Sequence, residues 1–387
     1  MNKRNILLTP GPTPVPPGAL KIMSEPIFHH RTPQYRKIFN KVSSELKDIF
    51  ETKNDVFTFT SSGTGGMEAS MVNFLSPGDT ILAAHAGKFG ERWVNIAKHY
   101  GICAIEVKAP YGQAIDPKSV EKTLKENPKI KAVYATHCET STGVTHDLQP
   151  IAEIVSKTNS ILVVDSISAL AADPLSQDQW KVDVVVGGSQ KALMLPPGLA
   201  FMSVSEKAWN LNKTAKCPRF YYDITLYKKA LLDSDTPFTP ALTLVIALEE
   251  TLRLIKAKGF QNHLKETARL AEATRAGVRA IKLELFAKSH YSNALTAVKV
   301  PNGIDGEKLV KVMRDEKGVT MAGGQGEMKG KIFRMAHMGY ITKEDLITGF
   351  GVLCETLNEF EFPCSAKDAL QAFNQILEKK QTAKAAR

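Results

Sequence analysis

The stretch DVVVGGSQKALMLPPGLAF, residues 183–201, places a single lysine, Lys191, between two apolar runs. Two glycines precede this lysine and a Pro-Pro-Gly turn follows it. A lysine in a largely dehydrated site has a depressed pKa, so its neutral amine can act as a nucleophile. A lysine that extends from a strand end to solvent would fit the same pattern. The stretch alone therefore indicates a candidate nucleophile and leaves the second interpretation open.

Two other segments carry polar groups that could act together with this lysine. Asp165 closes the apolar run SILVVD, and a carboxylate at the end of a buried strand is costly unless a partner compensates its charge. An ordinary helix N-cap is the alternative for this residue. The segment SSGTGGMEAS, residues 61–70, places glycines between a strand-like run and a helix-like run, which allows backbone N–H groups to bind phosphate. It has neither the Walker spacing nor GxGxxG, so a plain turn at a helix start fits it equally well.

Short apolar runs alternate with helix-like patterns between about residues 55 and 205, and this alternation is typical of an α/β fold. Near-continuous Val, Ile, Leu and Ala content predicts strands buried on both faces, hence a mostly parallel central sheet with helices on both faces. Ligands bind such sheets beyond the carboxyl ends of the strands. The strand-like runs are VFTFT (56–60), TILAAH (80–85), AIEVKA (104–109), AVYATH (132–137), ILVVD (161–165) and DVVVGG (183–188).

The rest of the chain predicts a smaller α+β C-terminal domain and an N-terminal arm. Helical periodicity extends over 241–259, 262–281, 306–318 and 343–360, while 294–300 and 331–337 resemble strands. The proline-rich TPGPTPVPPG, residues 9–18, predicts an extended segment. We therefore expect an arm over 1–20 that packs on the small domain and the active site, a large domain over 21–265 and a small domain over 266–387.

A lysine, a carboxylate and a phosphate-binding turn at the strand ends of one sheet fit pyridoxal 5′-phosphate. The lysine amine bonds to the aldehyde of this cofactor, the carboxylate pairs with its pyridinium nitrogen, and the helix N-terminus takes its phosphate. We therefore expect pyridoxal phosphate as the cofactor, bound in the large domain. No metal site is expected, since the five cysteines form no CxxC pair and no disulfide framework. That cysteine pattern also predicts a reducing compartment.

The chain resembles the class V, fold-type I aminotransferases, in the branch of the alanine–glyoxylate, serine–glyoxylate and serine–pyruvate aminotransferases. The resemblance implies the fold of the type I pyridoxal-phosphate-dependent transferases. It also implies ping-pong transfer of an amino group from a small amino acid, alanine or serine, to a small 2-oxo acid, glyoxylate or pyruvate. It is nearly full length and rests on LLTPGPTPVPP, HHRTPQY, SSGTGGMEA, THCETSTGV, VVDSISAL, GGSQKALMLPPGLAF, DTPFTPALTL and MAGGQGEMKGKIFRMAHMGY, in this order.

The resemblance implies catalytic roles for Lys191 and Asp165. Lys191 would hold the cofactor covalently and then move the proton between the substrate α-carbon and the cofactor, while Asp165 would pair with the ring nitrogen. Phe89 would stack on the pyridine ring, and the hydroxyl of Thr140 would approach it. An ordinary core phenylalanine is the alternative for Phe89.

The resemblance also implies residues that bind the phosphate and the substrate. Arg334 would bind the substrate carboxylate through a planar, two-pronged guanidinium, with a surface ion pair as the alternative. Gly11 and its neighbours in the arm would close over the same site with backbone groups. The phosphate ligands would be Ser62, Gly63, Thr64 and Gln190, together with Thr236 and Thr239 contributed by the other subunit of a homodimer with shared active sites. Plain turn residues are the alternative for the two threonines.

Two segments depart from the pattern of these families. Cys138 occupies a position where glycine is common, and SISALAADP, residues 166–174, replaces a more usual run of small residues. We expect neither to touch a residue with an assigned role, so both would bear on substrate fit rather than on the chemistry.

Composition narrows the function classes further. The 387-residue chain carries a formal net charge of +10, but its basic residues are interleaved with acids and form no arginine-rich run, so we expect small anionic substrates and no nucleic acid. No apolar stretch approaches the ~18 residues of a membrane span, and no signal peptide is recognisable, which predicts a cytoplasmic protein without membrane attachment.

Three other functions stay open at this point. A pyridoxal-phosphate lyase of the cysteine desulfurase or kynureninase kind has the same fold, and Cys364 is the loop cysteine that a desulfurase could use. A cofactor-binding protein without catalysis and a basic nucleic-acid-binding module are further alternatives, although neither needs a substrate clamp such as Arg334.

Overall fold

The computed structural model describes residues 5–378, which form one large sheet, three small sheets and the helices around them. The strands are β1 (Ile6–Leu7), β2 (Val56–Ser61), β3 (Thr80–His85), β4 (Cys103–Lys108), β5 (Ile130–Thr136), β6 (Cys138–Glu139), β7 (Val144–Thr145), β8 (Ile161–Asp165), β9 (Val184–Gly188), β10 (Gly198–Val204), β11 (Leu295–Lys299), β12 (Val319–Thr320), β13 (Ala322–Gly323) and β14 (Ile332–Ala336). The helices are α1 (Pro17–Ser24), α2 (Pro33–Phe50), α3 (Gly63–Val72), α4 (Lys88–His99), α5 (Pro117–Glu126), α6 (Leu148–Ser156), α7 (Gln177–Trp180), α8 (Glu206–Asn212), α9 (Ile224–Leu231), α10 (Leu242–Lys258), α11 (Phe260–Ala280), α12 (Gly306–Asp315), α13 (Lys343–Glu359) and α14 (Ala366–Glu378).

The large sheet has the strand order β2-β10-β9-β8-β5-β3-β4, and every strand except β10 runs in the same direction. Each strand-like run identified in the sequence forms one of its parallel strands, so the mostly parallel sheet is confirmed. β10 is antiparallel because only the short turn after Lys191 connects it to β9, and a parallel neighbour would need a crossover. The carboxyl ends of β2, β8 and β9 therefore share one edge.

Alternate residues of the central strands pack into two separate cores, one on each face of the sheet. In β8, Leu162 and Val164 belong to one cluster, whereas Ile161 and Val163 belong to the other. Each fully buried aliphatic side chain of this kind stabilises the fold by roughly 1.5–3 kcal/mol. Burial on both faces explains why these runs are continuously apolar, and it leaves the strand ends as the place where polar groups can collect.

The C-terminal residues and the arm extend this scaffold. α10 ends at Lys258 with Gly259 as its C-cap, within the helical range 241–259 predicted from the sequence, and β11, β13 and β14 form a small antiparallel sheet. β1 of the arm pairs in parallel with β12, so the arm contacts the C-terminal part of the chain. The domain limits stay a prediction; residues 265 and 266 lie within α11.

Two further observations concern membrane spans and metal sites on the one hand and the pairing of cysteines on the other. Within residues 5–378, no helix is long and apolar enough to cross a membrane, and no group of three His, Cys, Asp or Glu side chains could hold a metal ion. One pair of cysteines is bonded, since Cys354 of α13 forms a disulfide with Cys364, and the sequence analysis did not predict this pair. The turn between α13 and α14 brings these residues together, and a sequence separation of 10 shows no framework spacing.

Candidate active site

The predicted functional groups meet at the carboxyl edge of the large sheet. β8 ends at Asp165, and its parallel neighbour β9 ends just before Lys191, while α3 begins after β2 on the same edge. A cavity at this edge is lined by Ser62, Gly63, Thr64, Phe89, Arg92, Cys138, Thr140, Asp165, Ile167, Ser168, Gln190 and Lys191. The lining contains every predicted large-domain ligand except the two threonines assigned to the other subunit.

The amine of Lys191 is buried inside this cavity and does not extend to solvent. The side chain is only 9% exposed, and Nζ donates a hydrogen bond to Pro10 O at 2.5 Å. Burial lowers the pKa of Lys191 to about 8, although the Asp165 carboxylate acts in the opposite direction. At pH 7.5 roughly a quarter of such amines are neutral, against about 0.1% for an ordinary lysine. The residue can therefore act as a nucleophile and as a base.

Asp165 is a buried carboxylate that forms no salt bridge within residues 5–378. Its Oδ1 accepts a hydrogen bond from Ile167 N at 2.9 Å, and burial raises the pKa of Asp165 to about 6 despite that bond. The N-cap alternative does not apply, because turns follow β8 where a helix would have to begin. The free acceptor capacity of Asp165 suits a protonated ring nitrogen, whose positive charge would offset the cost of burial.

The N-terminus of α3 provides an anion site of the kind the sequence suggested. The hydroxyl of its N-cap residue, Ser62, forms no capping bond, so backbone N–H groups in the first turn of α3 remain available. A Cβ on Gly63 would lie 2.5 Å from Ile167 Cδ1, which only glycine avoids. Gln190 lines the same cavity, and the N–H groups of its amide are donors of the kind that a phosphate oxygen accepts from. These features fit the phosphate of pyridoxal phosphate.

Glu139, which the sequence interpretation did not single out, positions two predicted cofactor contacts. Its buried carboxylate accepts hydrogen bonds from Phe89 N (3.3 Å) and Gly90 N (2.9 Å), at the start of α4. It also accepts from the N–H of Ser141, next to Thr140. A carboxylate at a helix N-terminus is favourable for the helix dipole. Glu139 thus fixes Phe89 relative to Thr140, a tertiary relation that no local spacing reveals.

The two departures from the family pattern do touch residues with assigned roles, so that expectation is wrong. Cys138 lines the cavity, and its carbonyl oxygen lies 3.5 Å from Thr140 Oγ1, which donates to it. Ser168 accepts a hydrogen bond from Thr140 Oγ1 at 2.7 Å. Both lie in the cavity because β6 and the turn after β8 follow neighbouring strand ends. Burial raises the pKa of the Cys138 thiol well above its usual range, so this thiol stays protonated.

Arg334 lies on β14 and is buried, which excludes the surface ion-pair alternative. Its Nε and Nη2 donate to Gly323 O at 3.1 and 2.7 Å, and Nη1 donates to Thr140 O at 3.0 Å. Burial lowers the pKa of Arg334 to about 10, which leaves the side chain cationic at neutral pH. A guanidinium has five N–H donors, so one N–H remains on each terminal nitrogen. Two donors are therefore left for a ligand, although Arg334 itself is not part of the cavity lining.

Arg92 is a cavity residue that the sequence interpretation missed. Its Nη1 donates to Thr64 Oγ1 at 2.9 Å, and its guanidinium carbon lies 5.1 Å from the centroid of the Phe89 ring. The predicted phosphate ligands are all neutral, and Arg92 is the one cation besides Lys191 in the cavity lining. Its position three residues after Phe89 on α4 places both on one helix face, a spacing that could have identified it.

The remaining predicted residues lie outside the cavity lining. Thr236 is buried and donates to Phe238 O at 2.7 Å, whereas Thr239 is exposed. Their contribution to the site of a second subunit stays a prediction. Gly11 of the arm lies against the lysine at a φ of +126°, where a Cβ would be 2.2 Å from Lys191 Nζ. Only glycine therefore fits at this position.

Comparison with known proteins agrees with this geometry. The family model for class-V aminotransferases matches residues 22–343. The chain belongs to the class-V aminotransferases. The chain is accordingly a pyridoxal-phosphate-dependent aminotransferase of fold type I, as the sequence indicated.

This aminotransferase is similar to curated proteins over most of its length. It is 40% identical to the soluble hydrogenase 42 kDa subunit of Anabaena cylindrica, over 90% of this chain and 92% of the relative. It is 33% identical to L-aspartate–glyoxylate aminotransferase of Paracoccus denitrificans (90% of each chain) and to serine–glyoxylate aminotransferase of Methylorubrum extorquens (89% of each). The solved ureidoglycine–glyoxylate aminotransferase of Bacillus subtilis superposes with a TM-score of 0.92 at 28% identity, over 98% of this chain and 99% of that one.

Replacement of Asp165 in the cofactor-free aminotransferase should change how stability depends on pH. A carboxyl group whose pKa is raised from 3.8 to about 6 by folding contributes stability below pH 3.8 that is lost as pH rises through 6. Between pH 5 and 7.5 the free energy of unfolding of the wild-type protein should fall by about 1 kcal/mol more than that of Asp165→Asn. Urea unfolding of both apoproteins measures this, and other titrating groups cancel in the difference. Parallel pH profiles would contradict the buried, unpaired carboxylate.

Replacement of Arg92 should weaken cofactor binding through the phosphate. A charge-assisted hydrogen bond contributes about 1.5–3 kcal/mol, so Arg92→Met should bind pyridoxal phosphate about 10- to 100-fold less tightly. The affinity for pyridoxal, which has no phosphate, should stay the same. Titration of the apoenzyme with both compounds measures this, and Lys98→Met, an exposed site on the same helix, is the matched control. An equal loss for both compounds would mean that Arg92 supports Phe89 rather than the phosphate.

Proposed function

We propose that this aminotransferase transfers the amino group of a small amino acid, alanine or serine, to a small 2-oxo acid, glyoxylate or pyruvate. The observation that carries the proposal is the pair of free N–H groups on Arg334, beside a cavity that holds a buried amine. Amino donor and oxo-acid acceptor each have one carboxylate next to the reacting carbon. One clamp therefore serves both in turn, which supports a ping-pong sequence with a single binding site.

The distribution of charge supports small substrates. Arg92 is engaged with Thr64 at the phosphate end, and Lys191 is needed for the cofactor. Arg334 is then the cation that remains for a substrate. The second carboxylate of a dicarboxylic amino donor would therefore find no cationic partner. An unpaired buried carboxylate is costly, and this cost favours alanine or serine over aspartate.

The residues of the cavity divide the chemistry among them. Bound pyridoxal phosphate supplies an electron sink for the electron pair released when the α-carbon of the amino acid loses its proton. Asp165, ionised at neutral pH, keeps a proton on the ring nitrogen. The neutral Nζ of Lys191 accepts the α-proton and can return it. Arg334 orients the substrate carboxylate.

A lyase of the desulfurase kind receives no support from the cysteines. Cys364 is bonded to Cys354 and does not line the cavity. Cys138 does line it, but the raised pKa of its thiol disfavours the thiolate that desulfuration requires.

We also propose a homodimer in which Thr236 and Thr239 complete the phosphate site of the other subunit. In support, neither threonine lines the cavity of its own chain. Large apolar side chains also remain exposed in the single chain, among them Ile27, Phe220 and Leu232, as expected of a surface that a second copy covers. The cytoplasmic location remains a prediction from the sequence.

A panel of donors and acceptors tests the proposed substrates. L-alanine, L-serine and L-aspartate are each paired with glyoxylate and with pyruvate, and Lys191→Ala is the inactive control. We expect kcat/KM to be highest for alanine or serine and double-reciprocal plots to be parallel. A preference for aspartate would contradict the charge argument. Release of sulfide from cysteine without amino exchange would replace the transaminase with a lyase.

The proposed binding of the substrate carboxylate by Arg334 is tested by Arg334→Lys, which retains the positive charge and removes the paired N–H donors of the guanidinium. Loss of one charge-assisted hydrogen bond costs about 1.5–3 kcal/mol, so kcat/KM for the amino donor should fall about 10- to 100-fold. Cofactor affinity and the thermal midpoint serve as controls and should change little. Unaltered kcat/KM with both substrates would show that the carboxylate binds elsewhere.

A further inference from the structure

The N-terminal arm is attached at one end to the strand that carries Arg334. β1 pairs with β12, and beyond it the carbonyl of Leu8 accepts a hydrogen bond from Ala336 N at 2.8 Å. Ala336 is the last residue of β14, and Leu8 itself is fully buried. The position of the arm is therefore tied to that of the carboxylate clamp.

The other end of this segment is attached to the lysine loop by Thr13. The backbone N–H of Thr13 donates to Gln190 O at 3.1 Å, and its hydroxyl donates to Lys191 O at 2.8 Å. The side chain is 2% exposed, so both bonds are shielded from water. Two consecutive carbonyls are thus held by one residue that lies 178 positions away in the sequence.

Between these attachments the arm presents a carbonyl to the lysine amine. Pro10 O accepts the hydrogen bond from Lys191 Nζ, and Gly11 leaves the space that the amine occupies. A carbonyl oxygen can accept from an amine or an ammonium group, but it repels a carboxylate. This part of the arm therefore suits the lysine rather than the carboxylate of a substrate.

We propose that Thr13 is a positioning residue for proton transfer: it fixes the arm to the lysine loop, so that the Pro10 carbonyl holds the Lys191 amine in place. The inference rests on the proposed transamination. When the α-carbon–hydrogen bond breaks, its proton forms a bond to the neutral Nζ, which becomes an ammonium group, and the electron pair stays with the cofactor-bound substrate. The Pro10 carbonyl stabilises that ammonium group, because a hydrogen bond to the charged form favours it.

The test replaces Thr13 by valine, which keeps the shape and removes the hydroxyl. We expect two rates to fall about tenfold, since one buried hydrogen bond is lost. The first is kcat, and the second is the rate at which the enzyme exchanges the α-proton of its preferred donor for deuterium. The donor KM and the cofactor affinity should stay within twofold, because Thr13 does not line the cavity. Thr13→Ser should recover most of the rate.

Two further variants separate positioning from folding. Thr158→Val is the matched control, because the Thr158 hydroxyl also donates to a backbone carbonyl, Val155 O at 2.8 Å, but lies outside the arm and the cavity lining; we expect wild-type rates. Gly11→Ala places a methyl group where the amine lies and should reproduce the slow proton exchange even if Thr13→Val folds poorly. In the apoenzyme, Lys191 of Thr13→Val should react faster with cyanate at pH 7, since its amine is no longer held.

Several results would overturn the proposal. Unchanged proton exchange in Thr13→Val, or an equal loss in Thr158→Val, would show that the hydroxyl does not act through Lys191. Thr13→Val could also lose cofactor affinity and thermal stability to an extent that accounts for its slower turnover. That result would mean that Thr13 only stabilises the fold. If the wild-type enzyme itself exchanged no α-proton with any amino donor, the proposed function would fail instead.

Discussion

An amine becomes a base near neutral pH only where water is kept away from it, and the burial of Lys191 imposes this condition on the surrounding structure. The pKa of about 8 follows from desolvation at the edge of a sheet whose strands are covered on both faces. Desolvation also affects the neighbours: Asp165 is held at a raised pKa and Arg334 at a lowered one. The desolvation cost of each charged side chain is offset when a ligand group of opposite charge binds next to it. The strain of burying these charges without a partner therefore favours ligand binding.

The fold supplies this environment through connections between segments that are distant in the chain. β8 and β9 bring the carboxylate and the lysine to one edge, and the short turn into antiparallel β10 fixes the lysine loop. Glu139 connects α4 to the segment that contains Thr140. Residues 8–13 connect the strand of Arg334 to the loop of Lys191. The residues proposed to bind the substrate carboxylate and to accept its proton are thereby mechanically linked.

The sequence predicted those features that depend on local pattern. Continuous apolar runs marked the strands, and their polar ends marked Asp165 and Lys191, because burial on both faces leaves no other place for charge. Arg92 was missed although helical spacing placed it beside Phe89. Glu139, Thr13 and the Cys354–Cys364 pair could not be predicted in this way, since their roles arise from contacts that only the folded chain creates. The same reason explains why Cys138 and Ser168 proved to be cavity residues.

The central claim is that the buried amine of Lys191 forms the covalent attachment to pyridoxal phosphate. Borohydride reduction of the holoenzyme makes such a bond permanent, and peptide mass spectrometry then locates the modified residue. The account predicts that the phosphopyridoxyl group is found on the peptide that contains Lys191 and on no other. Modification of a different lysine, or cofactor that is released unmodified after reduction, would contradict it.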